Sequence, residues 1–178
     1  MRTVIILGFI AIFFLIIPPV FYLLSSEQVT VTQKKVSYNL PYPGLLPDHP
    51  LFFLKSFRDK IMEFGTRDLS KKAELYLLQS DKKVAMANAL VQKGKDKEAL
   101  EVMLAAEQYF LKIPKVLEMS KKQGSSPSGD LVGRLKLSNS KHKEEAETFL
   151  KDLPQGQQEA IAEIIRLNQE AKKALDPL

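Results

Sequence analysis

The chain runs for 21 residues, 4–24, without a charge; Val4 opens the run and Leu24 closes it, between Met1-Arg2 and Ser25-Ser26-Glu27. About 20 apolar residues in a helix rise through the roughly 30 Å hydrocarbon core of a bilayer. A charged body behind such a segment is either tethered to a membrane or exported through it. The expectation is a signal-anchor at 1–24 that crosses once and is not cleaved. The alternative is secretion after signal cleavage, with 4–17 as the apolar core and Pro18-Pro19 as the break behind it. Cleavage after Ser25 or Ser26 would put Leu23 or Leu24 where a small side chain is wanted, and without cysteine a bacterial lipid anchor is excluded.

Arg2 and the α-amine precede the segment, whereas the first basic residues after it, Lys34 and Lys35, stand well behind Glu27. The positive-inside bias then places the N-terminus inside and residues 27–178 on the outer face of the cytoplasmic membrane. Pro18-Pro19 should kink the span or lie near its outer end, with Phe21 and Tyr22 at the headgroups.

The remainder is enough for one domain with a modest core. With no cysteine in the chain, neither disulfides nor thiol chemistry is available, and packing must hold the body together. Lys+Arg 26 against Asp+Glu 21 gives a net charge of +5, spread as lysine pairs among glutamates, the pattern of solvated helix faces. No arginine cluster or aromatic stacking motif points to nucleic acid, and none is expected as a partner.

Residues 25–39 are polar and β-branched and read as an extended tether. Residues 40–54 hold four prolines, at 41, 43, 47 and 50, which forbid a helix before Pro50 and favour extended or turn geometry. Asp48 or His49 can cap a helix that starts at Pro50. This proline-stiffened strip, with Tyr42, Leu45, Leu46 and Phe52, is the candidate protein-binding surface.

From there an exported helical domain, 40–178, is expected. A first helix, 50–64, should bury Phe53, Phe57, Ile61 and Phe64, and Gly65 should stop it. Asp68 caps a second with an apolar face at Leu69, Ala73, Tyr76, Leu77, Ser80, Val84, Ala87 and Val91, which Gly94 terminates. A third runs from about Asp96 to Met119, and Pro114 should kink or break it near Phe110. A flexible loop is expected at about 121–130. A fourth helix carries Val132, Leu135, Asn139, His142, Ala146, Phe149 and Leu153 on one face. Pro154-Gln155-Gly156 turns the chain into a fifth. Short connections make consecutive helices antiparallel, so the fold class is all-α: a transmembrane helix plus a bundle of four to five helices in hairpins. Gly94, Ala99, Ala106 and Pro114 also resemble part of a tetratricopeptide unit, although the upstream helix is too long and no second copy stands in register.

No active site assembles from these residues. His49 and His142 are the two imidazoles, in no metal-ligand spacing, and no metal or cofactor is expected. His142 shares an apolar stripe with Asn139, and Asn168 lies on the facing helix. They form either a buried polar pair with a neighbour or a small-ligand or pH-sensing site. The acidic run Glu144, Glu145 and Glu147 sits among lysines and reads as surface ion pairs.

The strings LPYPGLLPDHPLFFLKSFRDKI (40–61), KKAELYLLQSDKKVAMANALVQKGK (71–95) and HKEEAETFLKDLPQGQQEAIAEIIRLNQ (142–169) resemble a bacterial family of unknown function. Its members, in candidate-phylum and some Gram-positive bacteria, have an N-terminal membrane segment or signal and an exported helical domain. The resemblance covers about 40–170 and implies topology and fold class but no catalytic residue. GTRDLSKKAE departs from it in lacking a proline after the aspartate. The expected activity is non-enzymatic protein binding or scaffolding, through a protein partner or self-association. The runner-up is a ligand or pH sensor at Asn139, His142 and Asn168.

Overall fold

Residues 35–177, apart from Ser126 and Ser128, are described by a computed structural model. The apolar segment 4–24 and the tether up to residue 34 lie outside the described residues. Among those described there is no strand, and no helix is long and apolar enough to cross a membrane.

The α-helices are α1 (Phe52–Gly65), α2 (Leu69–Gln92), α3 (Asp96–Phe110), α4 (Lys112–Lys122), α5 (Gly129–Asp152) and α6 (Gln158–Leu175), with a 3-10 turn at Gln155–Gln157 before α6. The expected four to five helices become six because the third is broken. Pro114 has no N–H for the Phe110 carbonyl and its ring displaces it, so one helix ends at Phe110 and the next starts at Lys112. The loop expected at about 121–130 is narrower, since α4 continues through Lys122 and α5 opens at Gly129.

Local chemistry explains the ends. Asp68 is extended, and its carboxylate accepts from the Lys71 N–H at 2.9 Å, capping α2. Gly94 (φ 70) ends α2 in a Schellman turn, with Lys95 N–H donating to Leu90 O and Gly94 N–H to Val91 O, both at 2.9 Å. Gly124 (φ 83) repeats the motif after α4, through Ser125 N–H to Ser120 O and Gly124 N–H to Lys121 O. A Cβ at Gly94 would meet no neighbour, so Gly94→Ala isolates the backbone term. Its expected cost is about 1–2 kcal/mol, measured as a lower urea midpoint with an unchanged slope.

The helices enclose two apolar clusters. One joins Val84, Ala87 and Leu90 of α2 to Ala99, Met103 and Ala106 of α3, Ala146 and Phe149 of α5, and Ile161 and Ile164 of α6. The other joins Ala73, Tyr76 and Leu77 to Phe110, Ile113, Leu117, Leu131, Leu135, Ala171 and Leu175. Between these stretches each of four helices has buried polar residues: Ser80 and Asp81 on α2, Glu107 on α3, Ser138, Asn139 and His142 on α5, and Asn168 on α6. A polar layer therefore divides the core at mid-height.

Two expectations fail at the N-terminal side. α1 starts at Phe52 rather than Pro50. His49 Nδ1 accepts from the Leu51 N–H at 3.1 Å, while Asp48 is drawn away by Lys93 and Lys95, each at 3.0 Å. The stripe Phe53, Phe57, Ile61 and Phe64, expected to be buried, faces outward, and α1 buries no residue at all. The reason is the other side of the helix. Lys55 donates to Pro43 O and Leu45 O, and Glu63 accepts from Tyr76, Tyr109 and Lys112, so polar contacts dock α1 with its apolar side away from the bundle.

Candidate functional site

In the polar layer, α5 holds His142 fully buried between carboxylates from two other helices. Nδ1 lies 3.0 Å from Glu107 Oε1, and Nε2 lies 3.0 Å from Asp81 Oδ1. Asp81 Oδ1 also accepts from Ser138 Oγ at 2.6 Å, and its Oδ2 from the Tyr38 hydroxyl at 2.5 Å. Glu107 Oε2 accepts from Asn168 Nδ2 at 3.4 Å. Asn139 and Asn168 exchange side-chain-to-backbone bonds of 3.1 and 3.0 Å, which tie α5 to α6. The Phe110 ring stands edge-on to the imidazole, with centroids 5.4 Å apart.

With an acceptor on each nitrogen, the ring is an imidazolium donating twice. Burial alone would lower its pKa, but the Glu107 charge and the bonds to Asp81 and Glu107 outweigh this and raise it from 6.5 to about 9. Burial and the Asp81 bond likewise push the Tyr38 phenol up. Both folded values exceed the unfolded ones. The stabilisation from His142 is therefore complete below its unfolded value of 6.5 and is lost as pH rises through about 9. That interval corresponds to about 3 kcal/mol, and Tyr38 ionisation adds in the same direction. Urea midpoints measured from neutral to alkaline pH should fall across this window, and His142→Gln should flatten the profile.

The extended residues ahead of α1 close the layer. Residues 35–39, expected as the end of the tether, are held against the bundle. Val36 N–H donates to Glu144 Oε2 at 2.7 Å, and Lys141 in turn pairs with Glu144 and Glu145. Tyr38 reaches Asp81 from this strap, which lines a hollow together with Lys141.

The strip that follows is open. Tyr42 is 83% exposed and Leu45 38%, whereas Leu46 and Phe52 are half-buried. Tyr42, Pro43, Gly44 and Leu45 face Leu51, Leu54, Lys55 and Arg58 across a shallow groove. Beyond it the α1 stripe is 64% exposed at both Phe53 and Phe57, 56% at Ile61 and 91% at Phe64.

A family described as a domain of unknown function (DUF5667) matches residues 44–178. The chain belongs to the DUF5667 family. No curated protein and no solved structure matches it. The DUF5667 region takes in all six helices, most of the open strip and the polar layer except Tyr38.

Of the residues singled out in the sequence, Asn139, His142 and Asn168 come together at the centre of the DUF5667 bundle. Tyr42 and Leu45 stand at its surface, separate from that centre. Sequence reasoning missed Asp81, Glu107 and Tyr38. Asp81 stands four residues after Leu77, and Glu107 stands four after Met103 and three before Phe110, so an acidic side chain at helical core spacing was the available signal. Tyr38 gave none. Chemically, the layer is a closed clamp: both imidazole nitrogens are engaged, and neither presents a lone pair to a substrate. Among the described residues no group of three or more His, Cys, Asp or Glu is arranged to hold a metal.

Proposed function

We propose that this protein is a membrane-anchored extracytoplasmic module with no catalytic role, which binds a protein through the strip at 40–54. In this reading 4–24 is the single span, the N-terminus is inside, and the helical domain stands at the outer face of the cytoplasmic membrane. The observation that carries it is the contrast between the two polar and apolar sites. His142, Asp81 and Glu107 are locked within the layer, whereas Tyr42 and Leu45 stand open over a groove on a proline-stiffened backbone. Rigid extended strips lose little entropy on docking and suit recognition by aromatic-lined partners.

The test uses the full chain in cells with a photo-reactive residue at Tyr42. The expected result is a discrete cross-linked protein in the membrane fraction, lost on Leu45→Ser but retained on Lys173→Ser, with the photo-reactive residue kept at position 42 in both. Recovery of the chain in the soluble cytoplasmic fraction, or a cross-link indifferent to Leu45→Ser, overturns the proposal.

A second reading, pH sensing at Asn139, His142 and Asn168, is favoured by one observation. The Tyr38 strap closes over an imidazolium that titrates near about 9. Alkaline release of the strap, read as faster hydrogen exchange at Val36 in wild type but not in His142→Gln, would support it.

A further inference from the structure

α1 is docked inside out. Its two carboxylates turn toward the bundle: Glu63 accepts from Tyr76, Tyr109 and Lys112, and Asp59 is largely covered and paired with Arg58. Burial opposes the Glu63 charge, but the bonds from Lys112 and Tyr76 hold its pKa below the ordinary carboxylate value. The outward arc is Phe53, Phe57, Ile61 and Phe64, one side of the helix at spacings of four, four and three. On the helical wheel Lys60 borders one edge of this arc and Arg58 the other, both exposed, and no carboxylate lies between them. An aromatic stripe with cationic margins is the pattern of a helix lying in a bilayer interface, its rings among the upper acyl chains and its cations at lipid phosphates.

The length of chain ahead of the bundle selects the same occupant. Only ten residues, 25–34, separate Leu24 from the strap that begins at Lys35. Fully extended they reach at most about 35 Å, about the length of α2 itself at 1.5 Å per residue. A body on so short a lead stays within its own length of any membrane that holds 4–24.

From this we infer that the outward side of α1 binds the surface of an anionic phospholipid bilayer, so that the protein holds the membrane at two places, the apolar segment and α1. This rests on the membrane tether proposed above and adds a second contact to it. It leaves the strip around Tyr42 for a protein partner.

The absence of cysteine makes a direct test available. Single variants Phe57→Cys, Phe64→Cys and, as control on an exposed part of α6, Lys173→Cys are made in the full chain and labelled with an environment-sensitive fluorophore. Each is reconstituted into vesicles containing phosphatidylglycerol, with bromine placed on the shallow acyl carbons. α1 buries no side chain, so the first two substitutions leave the bundle intact. The expected result is blue-shifted emission and loss of most of the fluorescence at positions 57 and 64, with position 173 unquenched. In vesicles of phosphatidylcholine alone the quenching should weaken. If the chain floats with the vesicles and the labels on α1 remain unquenched, the inference is overturned and the tether reading stands. If those labels instead report each other across two chains regardless of lipid, the stripe is a contact between copies, and the inference is again overturned. If the chain does not float at all, the tether reading fails with it.

Discussion

Replacing His142 by alanine is expected to lower folding stability by about 3–5 kcal/mol, the range for breaking a buried ion pair from one side. The variant strands two carboxylates, Asp81 and Glu107, in a solvent-excluded layer with no cation between them. Each must then protonate or draw water into the core, and both are costly. The measurement is urea denaturation followed by helix circular dichroism, since the chain has no tryptophan. A companion variant separates the origin of the loss. Replacing His142, Asp81 and Glu107 together by apolar side chains of similar volume should recover most of the stability, because no charge is left buried. If His142→Ala costs less than about 1 kcal/mol, the range typical of surface pairs, the clamp contributes nothing beyond a surface contact. That outcome would sink the description of the layer.

Phe110→Ala should be comparably damaging for a different reason. Phe110 is the last residue of α3, is fully buried, and is the ring that covers the imidazole edge. Truncating a buried phenylalanine costs about 3–5 kcal/mol through lost transfer energy and the cavity left behind. The charges are untouched, so the variant should keep the fall in stability toward alkaline pH that His142→Gln removes. Two variants of similar destabilisation would thus be told apart by their pH profiles. Loss of the alkaline transition in Phe110→Ala would mean that the ring, and not the carboxylates alone, sets the protonation of His142.

What was legible beforehand follows from the range of the forces involved. Gly94, Asp68 and Pro114 act on their own turns of backbone, and the ends of α2 and the break after Phe110 stand where these residues put them. The apolar spacing along α2 and α5 identifies which side of each helix is buried, because both lie in one core. The same rule misleads for α1. Periodicity reports that Phe53, Phe57, Ile61 and Phe64 share a side, but what covers that side depends on Glu63 meeting Tyr109 and Lys112, 46 and 49 residues away. Asp81 and Glu107 were obscure because an acidic residue on an apolar stripe is ordinarily assigned to its margin. The strap was beyond reach, since Tyr38 meets Asp81 at a separation of 43 residues and Val36 meets Glu144 at 108.

The polar layer also sets a timetable. The hairpin of α2 and α3 closes a short loop and is the sort of unit that forms fastest, yet alone it places Asp81 and Glu107 at its centre without their counter-ion. That cation is His142, 35 residues beyond Glu107, and Asn168 follows later still. In a chain made from its N-terminus, the two carboxylates of this hairpin stand without their counter-ion until α5 follows. The layer is complete only when the last two helices, which supply His142 and Asn168, are present. The same charges that lock the finished bundle are the ones its first hairpin must hold without a counter-ion.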